Sequence, residues 1–133
     1  MVDNSVVMSW CFKDEANRYS ESILDRLNES TVYVPSIWPL EVVNVLLVAE
    51  RKNIIGRADG VRFLELLLQL PIHIEYKTLA ILMKDIYRLA GEHGLSSYDA
   101  SYLDLAMKKG LPLATQNKKL RKAAAKMNVP MLG

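Results

Sequence analysis

Hydrophobic and polar residues follow two different periods along this chain. Short runs of β-branched and aliphatic residues alternate with longer segments in which apolar residues recur every three or four positions. The short runs predict strands within Val2–Val7 and at Thr31–Val34, Ile72–Glu75, Pro112–Thr115 and Val129–Leu132. The longer segments predict helices at Asp14–Leu27, from Ser36 or Ile37 to about Lys52, and at Arg57–Leu70, Lys77–Glu92, Ser96–Lys109 and Lys118–Met127. Gly94 and Gly110 are predicted to end the fourth and fifth of these helices. Strands that alternate with helices favour an α/β sandwich around a parallel sheet.

The size and composition of the chain narrow the class of protein. A length of 133 residues suits one domain, which we expect to span residues 1–133. The single cysteine, Cys11, excludes an internal disulfide and a cysteine-based zinc site, and we interpret it as a core residue. Neither a signal peptide nor an apolar run of about 20 residues is recognisable. We therefore expect a cytoplasmic protein without a membrane span.

The charges are distributed unevenly, although the formal net charge is only +2. From Lys108 onward the chain carries seven basic residues and no acidic one, whereas residues 1–107 carry 10 basic and 15 acidic residues. A basic segment on an otherwise acidic domain indicates an anionic partner such as nucleic acid. A solvated helix face explains the same pattern, and both interpretations stay open.

Two acidic residues in the first half of the chain are candidates for a site. Asp3 follows the opening apolar residues, where a parallel strand would end, although a helix cap is an alternative. Glu41 is the only charge in the segment IWPLEVVNVLLVA and shares its helix side with Trp38 and Val42. A carboxylate in an apolar stripe is costly unless it is paired or binds a metal. Asn44 lies three residues further on and can support the same site.

Three polar residues in the second half extend this set. Asp99 stands three residues after Ser96, which predicts a capping box, but its first-turn carboxylate also points toward the strand ends. Asp104 lies well round the same helix, and we expect it on a solvated, peripheral face. Asn117 follows the strand at Pro112–Thr115, where it serves either as a helix cap or as one wall of a site.

In a doubly wound sheet four of these positions can converge on one edge, namely Asp3, Glu41, Asp99 and Asn117. Asp3, Glu41 and Asp99 together offer three carboxylates, a ligand set that suits hard cations such as Mg²⁺ or Mn²⁺. Carboxylate clusters of this kind support the hydrolysis of phosphodiesters. The residues alone therefore favour a metal-dependent phosphodiesterase.

Four segments resemble the motifs of one known family, the PIN domains, and in particular the VapC-type toxin ribonucleases of bacterial and archaeal toxin–antitoxin pairs. The segments are VDNSVVMSWCFKDE, PSIWPLEVVNVL, LSSYDASYLDLAMKKGLPLAT and LATQNKKLRKAA, which together cover essentially the whole chain. The third and fourth motifs in tandem are the most specific part of the resemblance. The family usually has a longer strand before its first acid than Met1 and Val2 provide.

The resemblance implies a fold, an activity and partners. The fold would be a three-layer sandwich with a short central parallel sheet of about four to five strands flanked by helices. The protein would be a homodimeric, Mg²⁺- or Mn²⁺-dependent endoribonuclease that a VapB-like antitoxin inhibits. The segment FLELLLQL would belong to the dimer or antitoxin surface, although ordinary core packing also explains it.

The resemblance also assigns roles to individual residues. Asp3, Glu41 and Asp99 would be the metal-binding catalytic carboxylates, and Thr115 would orient the site from its strand end. Asn117 stands where the family usually has a fourth acid, so a second metal ion should bind more weakly. Supporting contacts are expected from Ser5, Asn44 and Ser97. RNA backbone contacts are expected from Lys118, Lys119, Arg121 and Lys122.

Two alternatives remain beside the nuclease. One is a PIN-like module that binds RNA or an antitoxin but has lost catalysis through Asn117. The other is a phosphate-handling α/β domain of the receiver or phosphatase type, which VDNS and IHIEY disfavour because they lack the required aspartates. We do not expect His73 or His93 to be catalytic.

Overall fold

The computed structural model describes residues 4–11, 18–27 and 30–132. These residues form helices and two strands, and two helices lie between the strands, as the sequence predicts. The helices are α1 (Asn4–Cys11), α2 (Arg18–Arg26), α3 (Trp38–Arg51), α4 (Arg57–Leu68), α5 (Ile86–His93), α6 (Ser97–Lys109) and α7 (Lys118–Lys126). The strands are β1 (Val32–Pro35) and β2 (Ile72–Glu75), and a π-helical turn at Ile81–Asp85 leads into α5.

The two strands form a parallel pair. Val32 lies opposite Ile72 and Pro35 lies opposite Glu75. The chain returns from β1 to β2 through α3 and α4, as a parallel connection requires. A second parallel contact joins Leu113 to Met131 as an isolated bridge. The described residues therefore combine helices with parallel β-pairing, in agreement with the predicted α/β class.

The sequence predicts more strand than the described residues contain. In the strands expected at Pro112–Thr115 and Val129–Leu132, the pairing that the described residues show is the bridge between Leu113 and Met131. The opening strand, which the sequence predicts to end at or close to Asp3, lies outside the described residues, and residues 4–7 belong to α1. Val6 and Val7 are both fully buried there, and the packing of α1 against α2 and α3 outweighs the β-propensity of valine.

Two helix ends are set by glycine, as the sequence predicts. Gly94 ends α5 with φ of 63°, and Gly110 ends α6 with φ of 64°. This left-handed conformation is strained for residues with a Cβ atom, so glycine favours it. The longest described helix, α3, has 14 residues, and within the described ranges no helix is long and apolar enough to cross a membrane.

Helix α6 runs through the core. Its residues 100–106 are all buried, and the helix packs against α5, α7 and β1. An ordinary amphipathic helix would leave one face in water. Because α6 has neighbours on several sides, polar side chains in its middle must find partners inside the protein.

Asp104 is one of these polar residues, and the prediction that it lies on a solvated face is wrong. Its carboxylate forms an ion pair with Lys77, and only 7% and 8% of the two side chains are exposed. Lys108 lies 3.4 Å from the other carboxylate oxygen of Asp104 and 2.7 Å from Asp85. The Lys108 hydrogen bond lowers the pKa of Asp85. These four charged groups link α6 to the segment that enters α5.

We predict that Asp104→Ala lowers the free energy of unfolding by about 3 kcal/mol, because it leaves the buried Lys77 ammonium without its main partner. Urea denaturation measures this loss. Arg62→Ala is the matched control, since it breaks an exposed ion pair with Asp59 and should cost less than about 1 kcal/mol. Equal losses in the two variants would contradict the structural role of Asp104.

Candidate metal centre

Glu41 is held by a residue from another helix. It lies half-buried in the first turn of α3, between the buried side chains of Trp38 and Val42. The hydroxyl of Tyr102 donates a hydrogen bond of 2.7 Å to Glu41 Oε1. Tyr102 is only 1% exposed, so this phenol is fixed by the core. The carboxylate inside the apolar stripe of α3 is therefore paired to a neutral donor.

Asp99 lies one helical turn before Tyr102 on α6, and hence on the same face of that helix. The Ser96 hydroxyl accepts a hydrogen bond of 3.0 Å from the Asp99 backbone N–H, which is the N-cap half of the predicted capping box. The Asp99 side chain is half-buried. Burial raises the pKa of this carboxyl, while a hydrogen bond with Ser96 acts in the opposite direction. A cation beside Asp99 would favour its ionised form.

Asn117 both caps α7 and faces Asp99. Its Oδ1 accepts a hydrogen bond of 3.1 Å from the backbone N–H of Leu120, as an N-cap does. Its Nδ2 lies 3.4 Å from Asp99 Oδ2, a long hydrogen bond. The cap fixes the orientation of the amide, because only the oxygen can accept from Leu120. Asn117 therefore presents a hydrogen-bond donor, its Nδ2 group, to Asp99.

Thr115 fixes the loop that carries Asn117. Its side chain is fully buried, and its Oγ1 accepts a hydrogen bond of 3.0 Å from the Asn117 backbone N–H. Its carbonyl oxygen accepts a hydrogen bond of 2.8 Å from Arg121 Nε. The Arg121 guanidinium also lies over the Tyr19 ring, 4.9 Å from its centroid. Thr115 thus connects the strand end to the first turn of α7.

Of the four positions that the sequence predicts for the site, Asp99 lies on α6, and side chains of α6 contact two others, Glu41 and Asn117. Tyr102 joins Glu41 to the face of α6 that carries Asp99, and Asn117 approaches Asp99 from α7. Asp3, the fourth position, lies outside the described residues. Sequence reasoning missed Tyr102, although its spacing of three residues from Asp99 could have identified it.

The supporting residues are less closely connected to these carboxylates. Asn44 is exposed on α3, one turn after Glu41, and Ser97 is exposed at the start of α6. The side chain of Ser5 lies outside the part of the chain that the structure describes. His73 is exposed on β2, where its ring meets Tyr33 edge-on.

The basic residues of α7 fall into two groups. Lys118, Lys119 and Lys122 are exposed around the start of the helix. Arg121 instead is half-buried and bonded to Thr115 and Tyr19. The lysines can meet a large anion at the surface, whereas Arg121 stabilises the loop beside Asn117.

The available donors fit a hard cation. Glu41 and Asp99 supply carboxylate oxygens, and an oxygen ligand set is what Mg²⁺ and Mn²⁺ prefer. Residues 4–11, 18–27 and 30–132 contain no group of three His, Cys, Asp or Glu side chains arranged to hold a metal. The predicted third carboxylate, Asp3, belongs to the segment outside those ranges.

Comparisons with known proteins agree with this architecture. Residues 1–126 match the sequence model of the PIN domain. The chain is 27% identical to Ribonuclease VapC3 from Pyrobaculum aerophilum over 120 residues, which cover 90% of each protein. The fold is similar to the crystal structure of PAE2754 from Pyrobaculum aerophilum, with a TM-score of 0.69 and 26% identity. That match covers 92% of this chain and 76% of the other.

This chain belongs to the PIN-domain family. The family match and the likeness to Ribonuclease VapC3 together support a VapC-type PIN protein, as the four sequence motifs indicate. The structural similarity confirms the predicted PIN-like α/β fold, even though the described residues contain only two strands in a continuous pairing.

We predict that Tyr102→Phe lowers the free energy of unfolding by about 1 kcal/mol, because the half-buried Glu41 carboxylate loses a hydrogen-bond donor. Chemical denaturation with and without Mg²⁺ measures the change. Tyr98→Phe is the matched control on the same helix. Because Tyr98 is exposed, this substitution should leave the free energy of unfolding nearly unchanged. A Tyr102→Phe protein as stable as the control would show that the bond to Glu41 contributes nothing.

Proposed function

We propose that this chain is a metal-dependent endoribonuclease and the toxin of a VapBC-like toxin–antitoxin module. Membership of the PIN family and the likeness to a ribonuclease of the VapC type support nuclease activity in general. The observation that carries the finer proposal is a pair of contacts at α6, where Tyr102 holds Glu41 of α3 and Asp99 meets Asn117 at the start of α7. Tyr102 and Asp99 lie one turn apart on the same face of α6, so these contacts bring polar groups from distant parts of the chain to that face.

In this proposal Asp3, Glu41 and Asp99 are the catalytic carboxylates that hold Mg²⁺ or Mn²⁺. The ion would supply an activated water molecule and neutralise the leaving oxygen of the phosphodiester. Tyr102 holds Glu41 in place, and the Ser96 cap orients the first turn of α6 around Asp99. Thr115 fixes the loop from the strand end. These contacts preorganise the carboxylates before RNA arrives.

The exposed lysines of α7 bind the RNA backbone in this proposal. Lys118 and Lys119 directly follow Asn117, so a phosphate held by them lies near Asp99. The N-terminus of α7 adds the positive end of the helix dipole at the same place. Arg121 contributes mainly by holding Thr115, not by binding RNA.

A homodimer and a VapB-like antitoxin are the partners that accompany this function. Part of the predicted surface segment FLELLLQL is core, because Phe63 and Leu67 are buried. Leu66 and Leu68 are 55% and 84% exposed, and they support a protein-binding surface on α4. Further large apolar residues are exposed around the start of α5: Tyr76, Leu79, Met83 and Tyr87.

A binding module without catalysis is the second candidate. The observation that favours it is the neutral Asn117, whose amide nitrogen faces Asp99 where the family usually has an acid. Such a protein would still bind RNA or an antitoxin through the same surfaces. Metal-dependent cleavage separates the two candidates.

We predict that the purified protein cleaves structured RNA with Mg²⁺ or Mn²⁺ and not with EDTA, because the carboxylates act through a bound ion. Cleavage should fall at least about a hundredfold in Asp99→Asn and Glu41→Gln, which replace acidic oxygens at nearly constant shape. Gel analysis of a labelled RNA panel measures both effects.

Glu92→Gln is a suitable control, since it removes an exposed carboxylate from α5, outside the proposed site. Cleavage that persists in EDTA, or in Asp99→Asn, would contradict the metal-dependent mechanism. RNA binding without any cleavage would favour the second candidate.

We predict that Lys118→Ala and Lys119→Ala weaken RNA binding and each reduce the slope of log affinity against log salt by about 0.7, as loss of one phosphate contact does. Arg121→Ala should mainly lower the melting temperature, because it removes the contacts to Thr115 and Tyr19. Fluorescence anisotropy at several salt concentrations and thermal unfolding measure the two effects.

Lys84→Ala is the control, because Lys84 is exposed in the π-helical turn and lies outside the proposed RNA surface. If Lys84→Ala changes the slope of log affinity against log salt as much as the α7 variants do, RNA binding is not localised to α7.

A further inference from the structure

The two polar atoms of the Asn117 side chain have different partners. Oδ1 accepts from the Leu120 N–H at 3.1 Å, and this bond caps α7. Nδ2 lies 3.4 Å from Asp99 Oδ2. The oxygen is therefore engaged in the helix cap, and the atom that faces the site carries hydrogens. An amide N–H attracts a carboxylate and repels a cation.

The surroundings of Asn117 are positive for other reasons as well. The N-terminus of α7 carries the positive end of a helix dipole, and Lys118 and Lys119 follow directly. The Arg121 guanidinium reaches the Thr115 carbonyl in the same loop. A second divalent cation on this side of Asp99 would meet these charges without an added carboxylate to offset them.

We infer that Asn117 is a positioning residue and not a metal ligand: it holds one oxygen of Asp99 and limits the site to a single divalent cation. This inference rests on the proposed function, because it takes Asp99 as a ligand of Mg²⁺ or Mn²⁺. Under this inference, the replacement of the family's usual fourth acid by Asn117 has a different consequence for the site. Instead of losing a ligand, the site gains a neutral donor that fixes the Asp99 side chain.

A comparison of Asn, Ser and Asp at position 117 distinguishes the effect of the helix cap from the effect of the contact with Asp99. Asn, Ser and Asp cap helices about equally well, so all three should preserve α7. Asn117→Ser keeps a cap oxygen but has no atom at the place of Nδ2. Asn117→Asp keeps the cap and puts a carboxylate opposite Asp99. Thermal unfolding of each variant verifies that the fold is retained.

Titration calorimetry of the full chain with Mn²⁺ is the decisive measurement. We expect the native protein to bind one Mn²⁺ ion. Asn117→Ser should also bind one ion, about three- to tenfold more weakly, because Asp99 is no longer held. Asn117→Asp should bind a second ion, because two neighbouring carboxylates repel each other unless a cation lies between them.

Different results overturn different parts of the interpretation. Two ions on the native protein, no second ion on Asn117→Asp, or equal affinity in Asn117→Ser would each overturn the role of Asn117 while leaving a metal-dependent nuclease in place. Absence of Mn²⁺ binding by all three proteins would overturn the metal site itself, and with it both the inference and the proposed function. Failure to cleave RNA, with one ion bound as expected, would affect only the proposed activity.

Discussion

The burial of α6 is the constraint on which the rest of the described structure depends. Residues 100–106 are enclosed by neighbouring elements, so each polar side chain among them needs a partner inside the protein. Tyr102 finds Glu41 on α3, and Asp104 finds Lys77 beyond β2. These two contacts fix α6 relative to both halves of the chain. The candidate site lies on the same helix because Asp99 occupies its first turn.

Helix capping and site geometry are coupled at the start of α7. The hydrogen bond from the Leu120 N–H makes Asn117 an ordinary N-cap. The same bond turns the amide nitrogen of Asn117 toward Asp99. Thr115 and Arg121 hold the loop from the other side. A helix cap and a contact with Asp99 therefore coexist in one side chain, and neither excludes the other.

The basic residues near the C-terminus differ in how deeply they are buried. Lys118, Lys119 and Lys122 remain at the surface, where they can attract an anion, while Arg121 is bonded within the protein. Lys108 lies in the ion network with Asp85 and Asp104. The excess of positive charge in this segment thus overstates the number of residues available to RNA.

The sequence by itself determined the α/β class, most helix bounds, the glycine ends of α5 and α6 and the family motifs, because these follow from local periodicity and backbone preference. Only the tertiary structure decided that Asp104 is buried and that Tyr102 holds Glu41. Those outcomes depend on which elements enclose a residue, and neighbours distant in sequence set that environment. The donor that Asn117 presents to Asp99 likewise depends on a cap geometry that the residue type alone does not specify.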